Sequence, residues 1–562
     1  MRKFALLAAA ILVACQPSAA PAPDASVSET RYSVTATHGV VASDAPLASQ
    51  AGVEIMKAGG NAVDAAVAVG FALAVVYPEA GNLGGGGFTL IRMADGRVAS
   101  IDFREVAPLA ATRNMFLDDS GRVTRKSVVG PLASGVPGSV AGLVAQHQRF
   151  GVLPLARVLA PALRYAEQGF VVDSALSGSL ARHAGLIGQF AGSAVFLPNA
   201  QPLAQGARLR QPALARTLRA IADSGAAAFY TGATARTIAE DLRAAGAIIT
   251  SEDLARYQPE WREPLRAMYR GRELITMPPP SSGVTMIEAL NILEGFAPFP
   301  PANSARAEHL TAAALQRAFV DRNALIGDPG FVTVPVERLA SKSYAAKLRA
   351  SIADRATPTP VATTSAREGS HTTHYSVVDA AGSVVSTTTT INDLYGSGVF
   401  LPNAGFFMND EMDDFAANPG KPNMFGLVQG EQNAIQPGKR MLSSMLPTIV
   451  LDRAGNPLLV IGARGGPRII SAVLQTIVHV LDHGMTLEDA VSAPRVHHQG
   501  LPDTLRYETM SMPSPALLDS LQSMGYALGT ISNVASANAI MRVGSRWVGV
   551  SDPRSRGKPA GF

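Results

Sequence analysis

Between residues 353 and 370 the chain reads ADRATPTPVATTSAREGS, with two prolines and almost no bulky apolar side chains. Such a stretch has nothing to bury and is expected to be solvent-exposed. It runs directly into His371-Thr372-Thr373-His374-Tyr375-Ser376, the start of a run of β-formers. Strands usually begin after a tight turn, so an exposed strip abutting a strand points to a cleavage point. If the bond between His371 and Thr372 is cut, Thr372 carries a hydroxyl and a free α-amino group on one residue. An α-amine with an ordinary pKa of about 7.7–8.0 accepts a proton near neutral pH. One residue then supplies both nucleophile and general base. Thr372 is equally compatible with an ordinary strand position, and the local sequence leaves both readings open.

Residues 373–379 and 384–391 are rich in Val, Thr and Tyr and flank Ala380-Ala381-Gly382, which predicts a hairpin. A second strand pair is expected over 448–451 and 458–461, followed by a helix over 468–483 with apolar residues at helical spacing. The folded part is expected to begin near Ser33 and to open with helices over 47–58 and 61–76. Asp44 lies ahead of the first, Asn61 caps the second, and Gly59-Gly60 separates them. The second is almost wholly apolar, so it is buried. Residues 132–245 read as mainly helical, for example 212–222 and 234–245, and 88–93 reads as a strand. No internal repeat is visible.

The 562 residues are 47% hydrophobic and 16% charged, enough for a large core. A formal charge of +4 over this length argues against nucleic acid or an anionic membrane surface as partner. The single cysteine, Cys15, excludes a disulfide framework and Cys-based zinc or iron–sulfur sites. It follows a short basic start (Arg2, Lys3) and an apolar run over 4–14, too short to span a bilayer, which reads as an export signal. The end of that run, Leu12-Val13-Ala14-Cys15, resembles the lipobox of bacterial lipoproteins, in which the thiol is acylated and the chain is cut just before it. The alternative is a plain secretory peptide cut after one of the alanines up to Ala20. Residues 16–30, rich in Ala, Pro, Ser and Asp, read as a flexible tether.

Beyond Thr372 the chain resembles the γ-glutamyltranspeptidase family, autoprocessing enzymes of the N-terminal-nucleophile hydrolase superfamily. The resemblance runs nearly end to end. Its pieces are GGNAVDAAVA (59–68), GNLGGGGF (81–88), DFRE (102–105), TTHYSVVD (372–379), MDDF (412–415), LSSM (442–445), Gly465-Gly466 and SDPR (551–554). It implies an α+β fold, a four-layer αββα sandwich self-cleaved into two subunits. The expected parts are a signal peptide over 1–14, a tether over 15–32, a large subunit over 33–371 with an exposed tail over 353–371, and a small catalytic subunit over 372–562.

The resemblance also implies roles. Thr372 first attacks the His371 carbonyl and then the γ-amide of a bound glutamyl group, and the Thr390 hydroxyl hydrogen-bonds the nucleophile's. Arg104 grips the substrate α-carboxylate, a task suited to a planar guanidinium. Asn392, Glu411 and Asp414 match residues that recognise the α-ammonium, and Ser443 and Ser444 bind the same amino-acid head. Opposite charges on opposite sides of that head would read its zwitterion. Gly465 and Gly466 would present backbone N–H groups to the oxyanion. In residues 419–430, which match a lid, Phe425 stands where a tyrosine is common. Gly84 to Gly87 lacks the Lys-Ser/Thr of a phosphate loop and is expected to be structural.

No cofactor and no metal are expected, since His371 and His374, and His497 with His498, lack an accompanying carboxylate pattern. The expected reaction releases the γ-glutamyl group of glutathione or other γ-glutamyl compounds to water, or to amino acid or peptide acceptors. The expected enzyme is a heterodimer cut from one precursor, exported to the periplasm or cell envelope, touching membrane only through a lipid at Cys15. The rivals are a cephalosporin or glutaryl acylase of the same superfamily and a non-catalytic exported lipoprotein with this fold.

Overall fold

The computed structural model describes residues 27–359 and 372–562. The export segment, Cys15 and His371 lie outside the described residues. Two sheets face each other at the centre. One has seven strands in the order Ala560–Gly561, Val40–Ser43, Thr373–Val378, Val384–Thr390, Gly86–Arg92, Val98–Asp102 and Glu260–Arg262. The other has eight, in the order Ser28–Glu29, Ser33–Ala36, Arg546–Ser551, Ser536–Val543, Pro457–Arg464, Thr448–Leu451, Arg272–Thr276 and Leu265–Tyr269. Strands Thr373–Val378 and Val384–Thr390 pack on Pro457–Arg464 across the interface. Helices Pro46–Lys57, Ala62–Val76 and Ser139–Phe150 cover the seven-stranded sheet. Gly283–Glu294 and Arg468–Leu481 pack on the other, with Ala305–Leu325 against Gly283–Glu294. This is the expected four-layer αββα sandwich.

The predicted hairpin is the centre of its sheet. Thr373–Val378 pairs antiparallel with Val384–Thr390, and Gly382 in the connecting turn has φ +86°. Every residue of both strands is buried, because helices lie on one side and the second sheet on the other. The polar ones are therefore paired inside: Thr387 with Thr89, Thr388 with His374, Thr389 with the Gly86 carbonyl and Ser386 with the Ile461 carbonyl. Burial pushes His374 down to about 3, so it stays neutral. Asn61 caps the all-buried helix Ala62–Val76 through a reciprocal pair with Asp64.

Three expectations change. The described chain opens with short strands, among them Ser33–Ala36 and Val40–Ser43, not with helices, because four-residue strands buried on both faces show no alternation. Ser28–Glu29, within the stretch read as tether, pairs with the first of them. Asp44 does not cap the first helix, whose N-cap is Ala45. Its carboxylate accepts instead from Thr373 Oγ1 at 2.9 Å and Asn538 Nδ2 at 3.1 Å, tying down the residue after the predicted nucleophile.

Candidate active site

The ends of the central strands and three loops converge on one small cavity. It is lined by Arg104, Thr372, Thr390, Asn392, Glu411, Asp414, Phe425, Ser443, Ser444 and Gly466, together with Met445, Pro467 and Ile469. Residues more than 300 positions apart in sequence meet there. Gly465 adjoins it, whereas Cys15 and His371 fall outside the described residues. A larger cavity of about 420 Å³, lined partly by Leu47, Tyr165, Phe170 and Arg556, contains none of the predicted residues.

Thr372 precedes strand Thr373–Val378 and is buried. The register pairs Thr373 with Thr389, so one further step sets Thr372 opposite Thr390. Thr390 Oγ1 accepts from the Asn392 N–H at 2.8 Å. Asn392 itself sits at φ +71°, with its amide donating to the Asp410 carbonyl at 3.1 Å. The glycine run beside it is structural, as expected. A Cβ on Gly85 would lie 1.9 Å from the Thr390 carbonyl oxygen, and one on Gly87 2.3 Å from that of Thr388. Only bare backbone lets strand Gly86–Arg92 and the loop before it pack this closely.

Arg104 leaves the end of strand Val98–Asp102 and is 1% exposed. Its backbone is held by Asp102 and by Tyr257, whose hydroxyl donates to the Arg104 carbonyl at 2.9 Å. Its guanidinium lies 2.7 Å from Glu411, 3.4 Å from Glu105 and in direct contact with Asp414. Burial disfavours that charge, but Glu411, Glu105 and Asp414 outweigh it and hold Arg104 above its ordinary range. The carboxylates move up in turn. Burial raises Glu105 to about 7 and keeps Glu411 well above the carboxylate range, although Arg104 pulls both down. Asp414 is raised by burial and partly restored by Arg104.

Ser443 and Ser444 lie on the opposite strand-end loop. Ser443 Oγ accepts from the Met445 N–H at 3.2 Å, and Ser444 Oγ accepts from Arg322 at 3.0 Å. Gly465 and Gly466 have φ +141° and +57°. A Cβ on Gly465 would approach that of Ala535 to 2.8 Å, and one on Gly466 the Phe425 ring to 3.1 Å. Phe425 thus closes over the second glycine. Its segment is pinned by Asp413, which accepts from the Met424 N–H at 2.9 Å, and by Gln499, which donates to the Phe425 carbonyl at 3.1 Å.

A buried N-terminal threonine candidate, paired glycines at positive φ and a cation among carboxylates make an arrangement suited to acyl transfer from an amino-acid-like head. The family model described as gamma-glutamyltranspeptidase matches residues 48–562. The chain belongs to the γ-glutamyltranspeptidase family. Among γ-glutamyltranspeptidase relatives, it is 44% identical to the glutathione hydrolase proenzyme of Escherichia coli (strain K12), over 99% of this chain and 98% of that one. It is also 43% identical to the Acylase ACY 1 proenzyme of Pseudomonas sp. (strain SE83), over 83% of each. Cephalosporin acylase from Bacillus halodurans superposes with a TM-score of 0.84 at 28% identity, covering 98% of this chain and 99% of that chain.

Two residues near the site were not singled out from sequence. Glu105 lay inside the DFRE motif, where its neighbour to Arg104 was a usable signal. Arg322 had none: it is one arginine on a helix, 122 positions from the serine it touches.

Proposed function

We propose that this γ-glutamyltranspeptidase relative catalyses γ-glutamyl acyl transfer, using Thr372 as an N-terminal nucleophile. The observation that carries the reading is one cavity lined by Thr372 together with Arg104, Glu411 and Asp414. In maturation, Thr372 Oγ attacks the His371 carbonyl, the peptide nitrogen leaves as the Thr372 amine, and water cleaves the resulting ester. In turnover, the freed amine takes the hydroxyl proton while Oγ attacks the γ-amide carbonyl. The N–H groups near Gly465 and Gly466 stabilise the oxyanion, and the proton passes to the leaving amine. Water or an acceptor amine then attacks the γ-glutamyl ester, releasing glutamate or a new γ-glutamyl amide and restoring the Thr372 hydroxyl. Thr390 orients the nucleophile through its own hydroxyl.

Identity alone does not separate glutathione hydrolase from acylase, since relatives bearing both names match at similar levels. The polar set lining the cavity supports the γ-glutamyl reading. A glutaryl head has no α-ammonium, and Asn392, Glu411 and Asp414 offer the acceptors and negative charge that an ammonium requires. Glutathione is the proposed donor, with amino acids or peptides as acceptors. The mature protein is proposed to be a heterodimer of residues up to 371 and residues 372–562, exported and held by a lipid on Cys15. No described helix is long and apolar enough to cross a membrane.

The test compares γ-glutamyl-p-nitroanilide with glutaryl-p-nitroanilide. Turnover should favour the γ-glutamyl compound, and a preference for glutaryl would move the chain to the acylase reading.

A further inference from the structure

Arg322 stands behind the serine pair, on helix Ala305–Leu325, and is 1% exposed. Its Nε donates to Ser282 Oγ at 2.8 Å, one terminal nitrogen to Ser444 Oγ at 3.0 Å and the other to Asn323 Oδ1 at 3.0 Å. Among the described residues it forms no ion pair. Burial lowers it to about 10, still charged at neutral pH, with Asp414 attracting and Arg104 repelling it from a distance. A buried guanidinium committed to hydroxyl groups is costly to keep unless those hydroxyls have work to do.

The hydrogen count gives that work a direction. Arginine only donates, so Ser444 Oγ is an acceptor towards Arg322, and its own proton must be given elsewhere. Ser282 accepts from Arg322 as well and spends its proton on the Ser443 carbonyl at 2.6 Å, fixing the backbone between the two serines. Ser443 Oγ already accepts from the Met445 N–H. Each serine lining the cavity has one lone pair taken and keeps its proton to give, and an anionic acceptor can receive both protons. Arg104, meanwhile, already faces three carboxylates, so a ligand carboxylate arriving there needs further positive charge close by.

We infer that Arg322 is a positioning residue for the substrate α-carboxylate: it turns the Ser444 hydroxyl into a fixed donor, locks Ser443 through Ser282, and adds the second positive charge on that side of the head. The inference rests on the γ-glutamyl reading above. It acts on a part of the substrate that does not react, so its loss should appear in KM and not in kcat.

The experiment uses Arg322→Gln and Arg322→Lys in the processed enzyme with three p-nitroanilides: γ-glutamyl, glutaryl, which lacks the ammonium, and 4-aminobutanoyl, which lacks the carboxylate. Leaving a buried partner unsatisfied corresponds to roughly tenfold to hundredfold in affinity. Arg322→Gln should raise KM by about that factor for both carboxylate-bearing substrates, with kcat within about threefold. It should leave kcat/KM for 4-aminobutanoyl within about threefold. Arg322→Lys keeps the charge but cannot bridge both hydroxyls, and should fall between. On a Ser444→Ala background it should add less than it does alone. Equal losses on all three substrates, or an unchanged KM for γ-glutamyl, would overturn the inference. If Arg322→Gln does not fold, the same substrate ratios are read from Arg322→Lys. Failure of the wild type on γ-glutamyl substrate would instead sink the underlying functional reading.

Discussion

The Arg104 guanidinium lies 2.7 Å from the Glu411 carboxylate and bonds Asp414 as well. The sequence reading set the cation and the anions on opposite sides of the substrate head, but they touch one another. The cavity is correspondingly small, about 20 Å³, near the room one water needs. On the proposed reading, a zwitterion entering it would exchange partners: its carboxylate would take up donors of Arg104, and its ammonium the carboxylates so released. Because buried ion pairs roughly break even against their desolvation cost, such an exchange is feasible for a zwitterion. A head with only a carboxylate leaves Glu411 and Asp414 without compensation.

Asp414→Asn should accordingly lower kcat/KM for γ-glutamyl-p-nitroanilide by at least about 30-fold, the low end of what removing one partner of a desolvated charged contact costs. Glutaryl turnover should stay level or rise, since Arg104 loses a competitor for the incoming carboxylate. Arg104→Ala should abolish both activities. Steady-state kinetics on the two substrates decide it, and intact γ-glutamyl turnover in Asp414→Asn would remove the ammonium assignment.

Thr372→Ala should run as one uncut, inactive band on a denaturing gel, whereas wild type should yield a fragment of residues 372–562. N-terminal sequencing of that fragment should begin Thr372-Thr373-His374. A wild-type chain that stays intact yet turns over γ-glutamyl-p-nitroanilide would refute the N-terminal-nucleophile mechanism.

Gly85→Ala puts a Cβ where the Thr390 carbonyl oxygen lies 1.9 Å away, and that contact is backbone, so the strand must move. Misplacement of catalytic groups by about 1 Å can cost up to about a hundredfold, and at least about a tenfold fall in kcat is expected. Gly382→Ala is the control. It also has positive φ, but it meets nothing within 4 Å, in the hairpin turn away from the cavity. It should cost about 1–2 kcal/mol of stability and leave kcat unchanged.

Glu288 is held by burial and by the neighbouring Asp321 at about 10, and the Tyr344 hydroxyl donates to Asp321 at 2.7 Å. The folded state therefore keeps a proton that the unfolded chain releases near pH 4–5. Stability from Glu288 is complete below that range, declines by up to about 1.4 kcal/mol per pH unit above it, and is lost as pH rises through about 10. Glu288→Gln, which carries its hydrogen at every pH, should flatten the alkaline fall in melting temperature. An unchanged profile would mean that Glu288 does not keep its proton in the folded state.

Labelled palmitate should enter wild type and not Cys15→Ser, because the chain has no other cysteine. Catalysis should survive the substitution. Mass spectrometry finding an unmodified mature N-terminus beyond Cys15 would exclude the anchor.

The sequence by itself determined whatever is written in near neighbours. The turn at Gly382, the Asn61 cap and the apolar run of Ala62–Val76 are local signals, and local propensity and burial agree on them in the structure. The family motifs likewise named the residues that line the cavity. Only the tertiary structure decided how those residues face one another. Asp44 reads as a helix cap and turns out to hold Thr373, because a carboxylate's partner is set by what folds against it across 329 positions, not by the helix next door. Strands Ser33–Ala36 and Val40–Ser43 carry no alternation, since both their faces are covered. Arg322 looks like any helical arginine until the Ser443-Ser444 loop is brought against it. Ion pairs and hydrogen-bond direction depend on distances of a few ångströms between distant segments, and periodicity along one segment carries no record of them.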